Sequence, residues 1–211
     1  MIPFSKDVFL GVVENYAAML WPAQIVAFLL GCAIVDMIRR PRVNSDRLVC
    51  GLLAAGWFWI GSIYYGEHIA GLSWAAWISA AAFTVQGVLL LVLGTVRNSI
   101  SLRYERNAMA NCGLGFMLFA LFGYPAIAAA NGIPLTAAPV FGFAPDPTIL
   151  LTFGALLIAK GRMSLILFVI PLGCAAANGV SAWLIGLPAD YIMLPAAIGA
   201  LALMIKKTRS S

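Results

Sequence analysis

Gln24, Asp146, Asn178, Glu67 and His68 are the polar side chains whose positions lend themselves to chemistry, because each falls within or at the edge of a long apolar stretch. A polar group there costs free energy unless it finds a partner, a cavity or an aqueous boundary. Gln24 follows the Trp21-Pro22 step, Glu67 and His68 close the second stretch with Ser62 just before them, and Asp146 heads the fifth. Asn178 and Ser181 lie in the sixth, and Asp190 opens the seventh. Glu67 and the single histidine, His68, are adjacent titratable groups that could relay protons or help hold a cation. Neighbouring helical residues point apart, however, so an exposed loop pair is the competing reading.

Other polar residues have structural explanations. Asp36 stands three and four residues before Arg39 and Arg40, the spacing of helical charge pairs. Asp190 reads as a helix-start residue favoured by the N-terminal dipole. Asp146 has the same reading, as a cap with Pro147 at the first helical position. Gln86 and Asn111 are expected to hydrogen-bond between helices. No catalytic set is recognisable: there is no HExxH, Walker A or GxSxG, no lysine deep in an apolar stretch, and one histidine cannot give a bis-histidine haem. Cys32, Cys50, Cys112 and Cys174 stand singly without metal-ligand spacing and read as small packing residues. No metal or cofactor is therefore expected.

The elements that position these residues follow from composition. With 63% hydrophobic and 10% charged residues and a mean hydropathy of +0.97, the chain is an integral membrane protein. We read a single membrane domain, residues 1–211, of all-α class. A helix needs about twenty apolar residues to cross the hydrocarbon core, and spans are expected at 17–38, 48–66, 72–96, 107–130, 147–160, 163–184 and 189–206. Apart from Lys6, the basic residues fill alternate gaps or the tail: Arg39 to Arg47, Arg97 to Arg106, Lys160 with Arg162, and Lys206 to Arg209. By the positive-inside rule this puts the C-terminus in the cytoplasm and the N-terminus outside. Tyr16, Trp21, Tyr64, Tyr65, Trp74, Tyr124, Trp183 and Tyr191 then form an outer aromatic belt, with Trp57, Trp59, Trp77 and Tyr104 as exceptions. The net charge of +5 serves topology and lipid headgroups rather than nucleic acid. Lys6, Asp7 and Glu14 interrupt the first sixteen residues, so the first span is expected to do the targeting. Apolar residues from Phe4 to Tyr16 recur at helical spacing, with Ser5 as cap. They form an interfacial helix or an extension of the first span.

The fifth span is short. Pro147 to Ala159 would cover only about 20 Å of a core roughly 30 Å thick. Before it, NGIPLTAAPVFGFAPDP (131–147) is apolar and broken by four prolines. Such a loop is tolerated inside a bundle if other helices satisfy its backbone, and interrupted helices of this kind mark binding sites in transporters. The segment is expected to fold inward, against the alternative of a hydrophobic cap over the bundle. A faint echo (GLSW at 71–74, GLPA at 186–189, Pro22 and Pro147) fits parallel repeats around the fourth span, as in SWEET-type carriers, or chance in a biased composition.

Taken together, YAAMLWPAQ (16–24), FGFAPDPTILLTFG (141–154), Ile170-Pro171-Leu172 and GLPADY (186–191) resemble a bacterial membrane family catalogued as domain of unknown function 6064. WPxQ and APxPT are its most specific parts. Members commonly carry cysteine where this chain has Asp146, so no thiol role carries over. The resemblance implies a polytopic membrane protein and brings no activity. The expected function is a small bacterial inner-membrane permease or channel-like carrier for a small solute or ion. Its substrate site would draw on Trp21, Gln24, Glu67, His68, Asp146 and Asn178. The alternative is a non-transporting binding or accessory subunit for a lipid or protein partner, and a membrane enzyme is a third reading. Membrane lipid is the expected partner in either case.

Overall fold

Long apolar runs satisfy their own backbone hydrogen bonds only as helices when no water is at hand, and this chain is helical almost throughout. The computed structural model describes residues 6–160 and 163–209. Among them are eight helices: α1 (Lys6–Leu20), α2 (Ala23–Arg39), α3 (Ser45–Ile69), α4 (Ala75–Val96), α5 (Ala108–Ala130), α6 (Pro145–Ile158), α7 (Met163–Ile185) and α8 (Met193–Arg209). A tight 3-10 turn, Pro188–Ile192, leads into α8. Five helical stretches are long and apolar enough to cross a membrane, and α1 with α2 would make a sixth. The fold is all-α.

Several expected boundaries move. The first span does not begin at residue 17: α1 and α2 are separate helices bent by 83° at Trp21 and Pro22, where proline removes a backbone donor. Seven full crossings would require α6 to count, but its 14 residues reach only about 21 Å. Pro22 sits at a bend between helices and Pro147 inside a first turn, so the two prolines of the sequence echo do different work. Ser5, Phe4 and Arg162 lie outside the described residues.

Helix α6 is the centre of the molecule, and every one of its residues is buried. It packs on α3, α5, α7 and α8. Lipid tails are as apolar as leucine, so burial there does not drive association, and close van der Waals packing with hydrogen bonds must. Small residues make the closeness: a Cβ on Gly113 of α5 would lie 2.7 Å from the Gly154 carbonyl oxygen, and one on Gly154 would lie 2.4 Å from that of Gly113. At the end of α6, Lys207 of α8 donates to the carbonyls of Leu156 (2.9 Å) and Ala159 (2.5 Å), which the helix leaves without partners of its own.

The proline-broken segment enters the bundle over its second half. Residues 131, 132 and 134 are exposed, whereas Ala138, Val140, Phe141 and Gly142 are buried. Phe141 wedges against Gly31 and Gly56, and Gly142 takes φ +81°, a turn that side chains resist. The Gly142 amide donates to Thr148 Oγ1 (2.8 Å), and Tyr16 donates to the Phe143 carbonyl (3.0 Å). The irregular backbone is satisfied by protein, as submersion requires.

The basic gaps gather at one end. Tyr104 N donates to Ile38 O (3.0 Å), Leu102 N to Asp46 Oδ1 (3.0 Å), and Lys160 N to Ser101 O (2.8 Å). Asp36 pairs with Arg40 (3.9 Å) and Arg42 (3.5 Å), not with Arg39. Asn111 bonds Tyr104 a few residues away rather than another span, while Gln86 does link helices, donating to Leu167 O (2.9 Å).

The glycine contact is the test of this packing. Gly154→Ala should destabilise the protein by roughly 1–3 kcal/mol through overpacking and lower its unfolding midpoint in detergent. Gly173→Ala, where a Cβ meets nothing within 4 Å, should leave the midpoint nearly unchanged.

Candidate functional site

At the end of the bundle opposite the basic loops, four elements bring polar side chains to one point. Asp146 stands in the first turn of α6, Asn178 in α7, Asp190 in the turn before α8, and Tyr124 in α5. Tyr124 donates to Asp146 Oδ2 at 2.7 Å, and its hydroxyl also meets Asp190 Oδ1. Asn178 Nδ2 donates to Asp146 Oδ1 (2.7 Å), and Asn178 Oδ1 accepts from Tyr65 Oη (3.1 Å). The five residues form one hydrogen-bonded chain: Tyr65, Asn178, Asp146, Tyr124, Asp190.

The hydrogen count of this chain is informative. A phenol carries one hydrogen, so it donates to one carboxylate at a time. The second contact is a hydrogen bond only if that carboxyl brings a hydrogen of its own and donates to the tyrosine oxygen. The arrangement therefore accommodates one proton beyond that of the phenol. Without it, two carboxylates would crowd a single donor at a site where Asp146 is only 8% exposed, an expensive state in an apolar interior.

Local structure explains how the tyrosines arrive. The α-helical turns of α3 widen into π-type turns over Ile60–Ile69, which carry Tyr65, and those of α5 do so over Phe119–Gly123, directly before Tyr124. Such turns re-aim side chains and are frequent at functional sites. Tyr16, Tyr64, Tyr65 and Tyr124, expected in an outer belt, are buried. Of the aromatics expected in that belt, Trp21, Trp74, Trp183 and Tyr191 are exposed.

Of the residues expected to form a substrate site, Asp146 and Asn178 meet directly. Asp146 is not a cap: Ala144 precedes the helix, and the carboxylate is turned to Tyr124 and Asn178. Asp190 likewise serves Tyr124 as well as its own helix start. Gln24 is elsewhere, buried at the α1–α2 bend with Nε2 on the Ala17 carbonyl (3.0 Å) and Oε1 without a partner. Trp21, at the same bend, is 48% exposed. His68 packs edge-on against Tyr16 with ring centroids 4.9 Å apart and Nδ1 3.0 Å from Ile63 O, while Glu67 is exposed. Tyr124, Tyr65 and Asp190 are the participants left out of the expected site, the tyrosines as belt residues and Asp190 as a helix-start residue. Both tyrosines stand at the same predicted depth as Asp146 and Asn178, a signal that an interfacial belt explains equally well.

Two cavities lie outside this arrangement, one at the opposite end of the bundle and one beside it. One, of about 330 Å³, is polar and lies among the basic loops. The other is an apolar groove of about 360 Å³ lined by Phe116, Phe119, Leu150, Ile192, Ala196 and Leu203, running between α5 and α8 over α6. No trio of His, Cys, Asp or Glu gathers to hold a metal among the described residues.

The profile of a family described as "Family of unknown function (DUF6064)" matches residues 6–211, nearly the full chain. No curated protein and no solved structure matches.

The proton count has a direct spectroscopic check. The infrared spectrum at neutral pH should contain the C=O stretching band of a protonated carboxyl, and Asp146→Asn with Asp190→Asn together should remove it. Tyr124→Phe, which deletes the shared oxygen, should shift that band.

Proposed function

We propose, for a chain that belongs to the DUF6064 family of unknown function, the role of a small bacterial inner-membrane permease that handles a proton or small cation at the Asp146–Tyr124–Asp190 centre. The observation that carries the reading is that two carboxyl groups from separate segments share one phenol oxygen in an apolar bundle. Ionisable residues at membrane depth are costly, and where they persist they mark ion pathways and proton relays. Helix α6 strengthens the reading, because its short length and buried lead-in are those of the interrupted helices on which carriers build their sites.

In this reading the basic loops face the cytoplasm, by the positive-inside rule, and the carboxyl pair lies toward the outer half. Asp146 takes up or releases the proton, Tyr124 passes it to or from Asp190, and Asn178 with Tyr65 orients the Asp146 carboxylate. Gln24, whose buried Oε1 lacks a partner, is the residue from the α1–α2 bend free to accept from a solute. Trp21 beside it would form the wall of the approach, and Glu67 its exposed rim.

The apolar groove between α5 and α8 favours a second reading, a non-transporting subunit that seats a lipid chain beside the carboxyl pair. Ile192, in its lining, is two residues from Asp190.

Flux decides between them. In proteoliposomes holding a pH-sensitive dye, an imposed gradient should drive proton movement above protein-free vesicles, and Asp146→Asn should abolish it. Gln24→Ala should reduce solute-coupled flux while leaving proton movement in place. Absence of flux for protons and across a broad solute panel would leave the lipid-seating reading.

A further inference from the structure

The acidic residues of the basic end are already engaged. Asp36 is shared by Arg40 and Arg42, Asp46 accepts from the Leu102 amide, and Glu105 holds Lys160 at 2.5 Å. Arg39 and Arg106 have no carboxylate within ion-pair distance among the described residues. Yet these two, with Arg40 and Tyr104, line one polar cavity of about 330 Å³. That volume is at the lower end for a small-molecule site.

The cavity stands on a fixed frame rather than on loose loops. Its two walls come from the last turn of α2 (Arg39) and from the segment before α5 (Arg106), and they are tied by the Tyr104 amide on the Ile38 carbonyl (3.0 Å). Tyr104 is held in turn by its hydroxyl on Asn111 Oδ1, and the same segment is pinned by the Asp46–Leu102 bond and the pairing of Ser101 with Lys160. Asn107, next to Arg106, caps α5 by accepting from the Ala110 amide (2.8 Å), which sets where the chain carrying Arg106 turns.

Of the three guanidinium groups around this cavity only Arg40 has a carboxylate among the described residues, Asp36, which it shares with Arg42, so an anion seated among them would lower their mutual repulsion. Guanidinium is a planar fork matched to two oxygens of a tetrahedral phosphate, and several forks converging from different segments select that shape over a point charge. The cavity lies at the end of α2 and before the start of α5, which in a bilayer would meet the headgroup layer, and basic pockets between spans are sites for anionic headgroups. We infer that Arg39, Arg40 and Arg106, with Tyr104 as a wall, form a binding site for a phosphate-bearing anion, supplied by a lipid headgroup or by soluble phosphate. The site is separate from the carboxyl pair, at the opposite end of the bundle.

The test uses the purified full chain in neutral detergent at low ionic strength. Binding is read by native mass spectrometry and by the unfolding midpoint, with phosphatidylglycerol, phosphatidylcholine and inorganic phosphate as separate probes. Phosphatidylglycerol should bind well above phosphatidylcholine and raise the midpoint. Arg39→Gln and Arg106→Gln should each weaken it by roughly tenfold, the scale of one lost charge-assisted pair. Arg209→Gln, which removes the same charge from outside the cavity, should keep wild-type binding. A rise with phosphatidylglycerol but not inorganic phosphate assigns the site to a headgroup; an equal rise with both assigns it to phosphate itself. Equal binding of the two lipids with no response to inorganic phosphate, or equal weakening by Arg209→Gln and Arg39→Gln, would overturn the inference, because diffuse surface charge would then be sufficient.

Discussion

A helix of 14 residues sealed on all sides cannot hand its polar ends to water, and the rest of the structure is arranged around that fact. An unpaired backbone or side-chain group in such surroundings costs several kcal/mol by order of magnitude. The start of α6 is therefore enclosed by the folded-in segment and by side chains of α5 and α7, and its end by Lys207, a charge whose long apolar stem reaches back along α8. Between the ends, Thr148 and Thr152 return their hydroxyls to carbonyls one turn earlier, and Trp57 spends its indole N–H on Thr152 (2.9 Å). Polar atoms that would be ordinary on a surface here become ties between helices.

The same constraint relates the packing to the candidate site. Glycines at 113 and 154 let α5 approach α6 closely, and this closeness brings Tyr124, farther along α5, within reach of Asp146. Asp190 arrives from the turn before α8 and Asn178 from α7, so the carboxyl pair is an intersection of four segments rather than a motif of one. A group assembled in this way responds to relative movement of helices. A shift of an ångström would break the tyrosine bridge and leave the carboxylate that lost its donor to find another.

Much of the scaffold was legible in the chain because membrane partitioning leaves coarse marks. Alternate basic gaps foretold that the 39–47, 97–106, 160 and 206–209 regions meet at one end, and the bonds among Ile38, Tyr104, Ser101, Lys160 and Ala159 bring them there. The shortness of α6 followed from counting residues against bilayer thickness, and the inward fold expected for residues 131–147 holds for their second half, while 131, 132 and 134 are exposed. The bend at Trp21-Pro22 was less legible, since residues 6–39 read equally well as one helix or two. Details of the site were hidden for two reasons. Aspartates at helix starts have a sufficient local explanation, so Asp146 and Asp190 gave no sign that they face one another. Tyrosines near span ends also fit an interfacial belt, and sequence spacing cannot distinguish the lipid side from the bundle side.

The wide turns in α5 account for part of that concealment. A π-type turn is an α-helix that has absorbed an extra residue, so everything beyond it is rotated by about 100° relative to the regular spiral. Tyr124 faces inward because Phe119–Gly123 carries that surplus. A sister chain shorter by one residue in this stretch would regain an unbroken spiral and swing its tyrosine toward lipid. The length of a five-residue interval, more than the identity of the amino acids in it, would then tell which relatives retain the bridged carboxyls.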